Sequence, residues 1–240
     1  MKKLKKGLWS IFALVGLVVV GSRWYQPLPE LNEVIHEVTQ FFAEKTVQEP
    51  IIVNGEKQVE PVDHNQPSFS EKELSLNKGT WQTFSDLDAL NRVGEANAML
   101  HKSMMPTEKR ERLYIDPTGW RQKKMKNGDY LYNRCHLIGF QLTGENNNPK
   151  NLMTGTRSFN TPGMVEYENQ VAEYLRKTGN HVRYRVTPHF QGEELVARGI
   201  QLEAQSIEDN RISFNVYVHN TQEGYMIDYL TGSSRVTNKE

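Results

Sequence analysis

The sequence predicts an α+β domain built on an antiparallel sheet, and two observations carry that expectation. Strand-like patterns recur at residues 182–186, 195–204, 212–218 and 224–229 with few helices between them, whereas a doubly wound sheet would interleave strand and helix. Ahead of them lies a long stretch of helical periodicity, with Met164, Val165, Val171, Ala172 and Leu175 at its apolar positions and Gly179 at its end. At 240 residues, 37% hydrophobic and 10% aromatic, the chain can bury a sizeable core, which excludes collagen-like, low-complexity and wholly disordered readings.

The N-terminus reads differently from the rest. Lys2, Lys3, Lys5 and Lys6 precede an uncharged, apolar run over residues 7–22. Lysines before and apolar residues after fit the positive-inside rule and place the remainder across a membrane. The run is shorter than the ~20 residues a spanning helix wants, yet no small-x-small cleavage site follows it. Residues 1–26 are therefore expected to be a signal peptide or a membrane anchor. Those four lysines and Arg23 all precede the first acidic residue, Glu30, so the formal net charge of zero conceals an acidic body. A uniformly basic nucleic-acid coat is excluded. Polyanions would have to be handled by a local basic surface, by a metal ion, or by both. Cys135 is the only cysteine, which rules out an intrachain disulfide and a cysteine-rich zinc site. Any metal must be held by His, Asn or carboxylates.

Leu31, Val34, Ile35, Val38, Phe41 and Phe42 mark a short amphipathic helix, and the proline-interrupted stretch 49–69 reads as a linker, so residues 27–78 are expected to be helix and linker. The body, 79–240, opens near Gly79. Leu87, Leu90, Val93, Ala96, Ala98, Met99 and Leu100 predict a helix over 87–101, with Ser85 or Asp86 as its cap. Residues 109–126 hold seven basic side chains against Glu111 and Asp116, and taken alone read as a solvated loop that turns at Asn127-Gly128.

Residues 130–139 have strand character. Alternation puts Tyr130, Tyr132, Arg134 and His136 on one face and Leu131, Asn133, Cys135 and Leu137 on the other. Arg134 and His136 can thus meet one phosphate, whereas Cys135 cannot pair with its neighbouring histidine. A polar loop, 141–148, leads to a short strand and turn within 149–160, after which Thr161 is expected to cap a helix with Pro162 at its first position. Asn160 then stands at the helix entrance and Glu168 lies about 80° around the axis. Gly199 marks a candidate bulge.

The stretch Asn133-Arg134-Cys135-His136-Leu137-Ile138-Gly139-Phe140, followed by Asn148-Pro149-Lys150-Asn151-Leu152, Gly155-Thr156-Arg157, Asn160 and Tyr167-Glu168, resembles the DNA/RNA non-specific endonucleases with a ββα-metal (His-Me finger) core. Among these it looks like the membrane-attached DNA-uptake nucleases and secreted DNases of streptococci and related Gram-positive bacteria. The resemblance runs from about Trp81 to Tyr229. The common tetrad is Asp-Arg-Gly-His, from which this chain departs at Asn133 and Cys135. The resemblance implies His136 as general base, Asn160 as direct ligand of one Mg²⁺ (with Mn²⁺ as a substitute), Glu168 as holder of a metal-bound water, and Arg134 at the scissile phosphate. Arg157 would bind phosphate or pair with Glu166. Other readings remain for each: Asn160 as a plain helix cap with Asn146, Asn147, Asn148 or Asn151 as ligand, and Glu168 as an ordinary exposed helix residue. The implied partners are DNA, RNA as a second substrate, the membrane through the N-terminal segment, and a DNA-uptake machinery. Two other function classes stand beside the nuclease: a catalytically idle, membrane-tethered DNA-binding protein, and a thiol hydrolase using Cys135 with His181, His189 or His219.

Overall fold

The computed structural model describes residues 52–53 and 56–237. The expected signal or anchor and the helix at 31–43 lie outside these residues. A six-stranded antiparallel sheet dominates the rest, its strands lying in the order Val59–Pro61, Ser213–His219, Gly199–Ser206, Val182–His189, Ala96–Leu100, Trp81–Phe84. Its strands are β3 (Val59–Pro61), β4 (Trp81–Phe84), β5 (Ala96–Leu100), β8 (Val182–His189), β9 (Gly199–Ser206) and β10 (Ser213–His219). Three two-stranded ribbons accompany it: β1 (Ile52–Val53) with β2 (Glu56–Lys57), β6 (Tyr132–His136) with β7 (Leu152–Thr156), and β11 (Tyr225–Ile227) with β12 (Ser234–Val236). The α-helices among the described residues are a single turn, α1 (Phe140–Thr143), and the long α2 (Val165–Thr178).

Period-two alternation decides which face of the large sheet is covered. Val182, Tyr184 and Val186 of β8, Ile200, Leu202 and Ala204 of β9, and Phe214, Val216 and Val218 of β10 enter one core with Val171, Ala172 and Leu175 of α2 and with Cys135 and Met153 of the β6/β7 ribbon. The other face carries Arg183, Arg185 and Glu203. Arg183 is buried between the rings of Phe69 (4.7 Å) and Trp81 (5.1 Å), while Ser68 and Glu73 bond to Glu203 and Arg185. Burying these charges is tolerable because each is paired and hydrogen-bonded. Chain 66–81 is thereby fastened to the outside of the sheet.

The expectation of an α+β antiparallel architecture holds, and β6, β7 and α2 follow one another as a ββα unit. Several local expectations change. Residues 96–100 are a strand pairing with both β4 and β8, and no helix spans 87–101. Ala96, Ala98, Met99 and Leu100 are all fully buried, so the apolar run is covered on both faces and its period is masked. Asp88 accepts from the amides of Leu90 and Arg92, and Asn91 takes φ +60°, which makes a turn of the supposed helix start. Val59–Pro61, which sequence pattern places in the linker, pairs with β10.

Thr161 does not cap α2. It is extended (φ −139°, ψ 115°), because a residue before proline is driven out of the helical region, and a wide irregular turn (Phe159–Met164) precedes the regular helix. Gly179 does end α2, at φ +69°. Gly199 is no bulge: it pairs in register with His189 and His219, and a side chain there would strike the Val218 carbonyl and the Tyr217 ring.

Candidate active site

The ββα unit builds a concave wall. His136 and Arg134 project from β6, Asn160 from the turn before α2, Glu168 from α2 and Arg157 from the end of β7, and all five line one open cavity of about 610 Å³. Arg110, Arg112, Trp120, Tyr130, Tyr132 and Gly139 line it as well. The structure therefore brings Arg134, His136, Arg157, Asn160 and Glu168 to one cavity, which Asn146, Asn147, Asn148 and Asn151 do not line.

His136 is 5% exposed, and its Nε2 lies 2.8 Å from the Asn146 carbonyl oxygen. A carbonyl only accepts, so Nε2 carries the proton of the neutral ring and Nδ1 keeps the lone pair. Burial, with a smaller push from the Arg110 charge, brings the imidazole pKa down to about 4. The ring is consequently an unprotonated base at neutral pH.

Asn160 donates through Nδ2 to the Thr161 hydroxyl (3.0 Å), which turns its Oδ1 into the acceptor left over for a ligand. Three of the competing asparagines are committed elsewhere. Asn147 bonds to the Tyr114 amide and the Arg112 carbonyl, Asn148 caps the turn at Lys150, and the buried Asn151 bonds both ways to the Ile138 backbone. Asn146 differs, since both polar atoms of its side chain are buried without a hydrogen-bond partner.

Glu168 is not an exposed helix residue. It is 7% exposed, and burial raises its carboxyl to about pH 7, against the opposing influence of a Gln141 hydrogen bond and the Arg110 charge. Gly139 makes the room: a side chain there would collide with the Glu168 carboxylate. Among the described residues no group of three His, Cys, Asp or Glu could hold a metal ion. An asparagine oxygen and a nearby carboxylate in an open cavity suit a hard cation that keeps most of its waters, which is the habit of Mg²⁺.

Arg134 is held in place on three sides. Its Nε donates to the Ile115 carbonyl (2.7 Å), its Nη2 bonds to the Asp116 carboxylate, and its guanidinium lies 4.5 Å from the Trp120 ring. Arg157 is exposed and makes no ion pair, with Glu166 or otherwise, among the described residues. Arg110, Arg112 and Gly139 escaped the sequence reading as site residues. The basic window signalled the two arginines only as charge, and nothing in sequence distinguishes a glycine that yields space to a carboxylate from one that ends a strand.

Glu168 gives stability a pH dependence of defined sign. Its folded pKa of about 7 stands above the ordinary 4.5, so the stability it contributes is complete below about pH 4.5 and lost as pH rises through 7. In EDTA, wild type is expected to lose stability relative to Glu168→Gln between about pH 5 and 7.5, on the order of 2–3 kcal/mol. Parallel melting curves for the two proteins would refute the buried carboxyl.

Cys135 is fully buried on the opposite face, where burial drives its thiol pKa far up and where Sγ fills the space left beside Gly155 and Phe159. A thiolate nucleophile is excluded there. Its Sγ lies 3.5 Å from the Asn133 carbonyl, an acceptor a hydroxyl can also use. Cys135→Ser is expected to keep nearly full activity and to lose about 1–2 kcal/mol in a denaturant melt. Inactivation of a folded Cys135→Ser protein would contradict this placement.

Residues 74–208 match the family model described as DNA/RNA non-specific endonuclease. A deoxyribonuclease of Streptococcus dysgalactiae subsp. equisimilis is 34% identical over 115 residues, covering 46% of this chain and 35% of that protein, so the chain spans about a third of that relative's length. Among solved structures, NucA from Streptococcus agalactiae with no metal bound is similar at 26% identity and a TM-score of 0.67, over 83% of this chain and 96% of that one. The same protein with a magnesium ion bound matches at 25% identity and a TM-score of 0.67, over 82% and 96%. Sda1 nuclease with bound zinc ion shares the fold at 24% identity and a TM-score of 0.62, over 75% and 97%.

Proposed function

The chain belongs to the DNA/RNA non-specific endonuclease family, and we propose that it is a divalent-metal-dependent, sequence-indifferent endonuclease that hydrolyses DNA phosphodiester bonds outside the cytoplasmic membrane. One observation supports this above the others: a buried histidine with its lone pair on Nδ1 shares a cavity with Asn160, Glu168 and four arginines. In this reading His136 Nδ1 takes a proton from the water that attacks phosphorus. Arg134, oriented by Ile115 and Asp116, and the unpaired Arg157 bind the phosphate and offset the charge that builds on its oxygens. Mg²⁺, or Mn²⁺ in its place, held by Asn160 with Glu168 on one of its waters, would supply Lewis-acid neutralisation of the leaving oxygen. Because asparagine is neutral, the cation's charge stays available to the substrate. The N-terminal lysines and apolar run support export, as a cleaved signal or a retained anchor.

Incubation of the purified protein with supercoiled plasmid, with and without EDTA, tests the reading. The expected result is a smear of fragments in Mg²⁺ and none in EDTA. Cleavage indifferent to EDTA would remove the metal from the mechanism, and binding without cleavage would leave a DNA-binding protein.

A further inference from the structure

One wall of the catalytic cavity extends beyond the groups that the reaction needs. Residues 120–132 form a hairpin running on into β6: the Leu131 amide donates to the Lys123 carbonyl (2.9 Å), the Met125 amide donates to the Asp129 carbonyl (2.8 Å), Lys124 pairs with Tyr130, and Gly128 turns the chain at φ +88°. Alternation gives the two arms a common face, Trp120, Gln122 and Lys124 on one and Tyr130, Tyr132 and Arg134 on the other. All of these except Lys124 line the cavity. Met125, Leu131 and the buried Tyr132 share a small core with Ile227, against which Trp120 packs, so the base of the hairpin is anchored and its outer end, Lys124 and Tyr130, stands clear of that core.

The outer end of this face is open to solvent. Tyr130 is 54% exposed at the rim of a cavity lined by four arginines, and the Lys124 ammonium lies 5.8 Å from the centre of its ring. Lys124 makes no ion pair among the described residues. A half-exposed aromatic ring with a cation over it matches what one nucleotide presents: a flat π-system next to a phosphate. In an intact duplex that π-face is covered by neighbouring bases, so the match is to an unpaired strand. From Tyr130 to Arg134 the chain advances roughly 13 Å at strand rise, which corresponds to about four nucleotides at the B-form rise of about 3.4 Å and fewer in a drawn-out strand.

We propose that Tyr130 and Lys124 form a base-binding subsite, in which the ring stacks on a nucleobase of an unpaired strand and the ammonium meets the adjoining phosphate, a few nucleotides from the bond at His136. The proposal rests on the nuclease reading for what occupies the cavity. It adds that strands with accessible bases are held more tightly than intact duplex, through a contact that reads no sequence.

The test measures affinity without metal. Fluorescence anisotropy in EDTA compares a labelled single-stranded oligodeoxynucleotide, the same backbone with abasic sites throughout, and a blunt duplex. Wild type is expected to bind the base-bearing single strand tightest. Tyr130→Ala should raise Kd for that strand by about tenfold and leave the abasic strand unchanged, Tyr130→Phe should behave as wild type, and Lys124→Ala should weaken both single strands and reduce the salt slope by about one. Tyr130→Ala binding the base-bearing strand like wild type, or weakening the abasic strand equally, would overturn the subsite. Plasmid cleavage in Mg²⁺ is scored separately: its absence with the binding pattern intact overturns the nuclease reading alone.

Discussion

His136→Ala is expected to slow plasmid cleavage by ~10²–10⁴-fold, the range associated with loss of a positioned general base. Fold and DNA affinity should change little. The Nε2 bond to the Asn146 carbonyl fixes both tautomer and orientation, so Nδ1 is the one lone pair the ring offers to water. The low pKa of about 4 keeps that lone pair open at neutral pH, and the negative charge of an arriving phosphodiester favours the protonated ring and brings the base back toward the working range. Alanine removes the base and leaves the Asn146 carbonyl without its partner, a loss of about 1 kcal/mol that the melting temperature will register. The checks are single-turnover cleavage, a thermal melt and anisotropy on the same preparation. A folded His136→Ala protein that cuts at a wild-type rate would refute the assignment.

Asn160→Ala should lower the rate by ~10²–10³-fold, the equivalent of several kcal/mol of lost charge stabilisation, and should also raise the Mg²⁺ concentration at half-maximal rate. The two effects have one cause. Asn160 Oδ1 is the proposed direct protein ligand, while Glu168 acts through water, so the truncated site must hold the cation by long-range attraction to a buried carboxylate alone. Calorimetric titration with Mg²⁺ or Mn²⁺, without nucleic acid, separates weakened binding from slowed chemistry. An unchanged titration would transfer the ligand role to Asn146, the one asparagine of that loop whose side-chain polar atoms have no hydrogen-bond partner. Asn147, Asn148 and Asn151 are spoken for by backbone groups.

Much of the site was legible because it is local. Arg134 and His136 alternate on one strand, so period two puts them on one face, whereas Asn160 and Glu168 are nominated by the family motif that follows the ribbon: Asn160 lies in the irregular turn Phe159–Met164, outside the regular helix to which a helix-angle argument applies. The antiparallel sheet was legible for the same reason: β8, β9 and β10 are successive neighbours whose apolar residues recur with period two, although polar residues between them, such as Arg183, Glu203 and Asn215, are buried as well. Failures arose where distant chain decides. Ala96–Leu100 is a strand because β4 and β8 flank it, and its own apolar run is equally consistent with a helix. Val59–Pro61 has no strand pattern in three residues and gains one only by pairing with Val216–Val218. Arg110 and Arg112 come to the cavity on an irregular segment, and there periodicity says nothing about direction.

The pairing of β3 with β10 separates the unit of kinship from the unit of folding. The family match spans residues 74–208, yet β3 precedes it, β10 follows it, and the two strands pair with each other. A chain trimmed to the match would lose both, along with Ser68 and Glu73, which fasten Arg185 and Glu203 on the sheet's outer face. It would present β9 as a long open edge beside two arginines robbed of a carboxylate, and an edge of that kind recruits further chains. The flanking residues belong to the folding unit itself, since β10 also brings Phe214, Val216 and Val218 to the core.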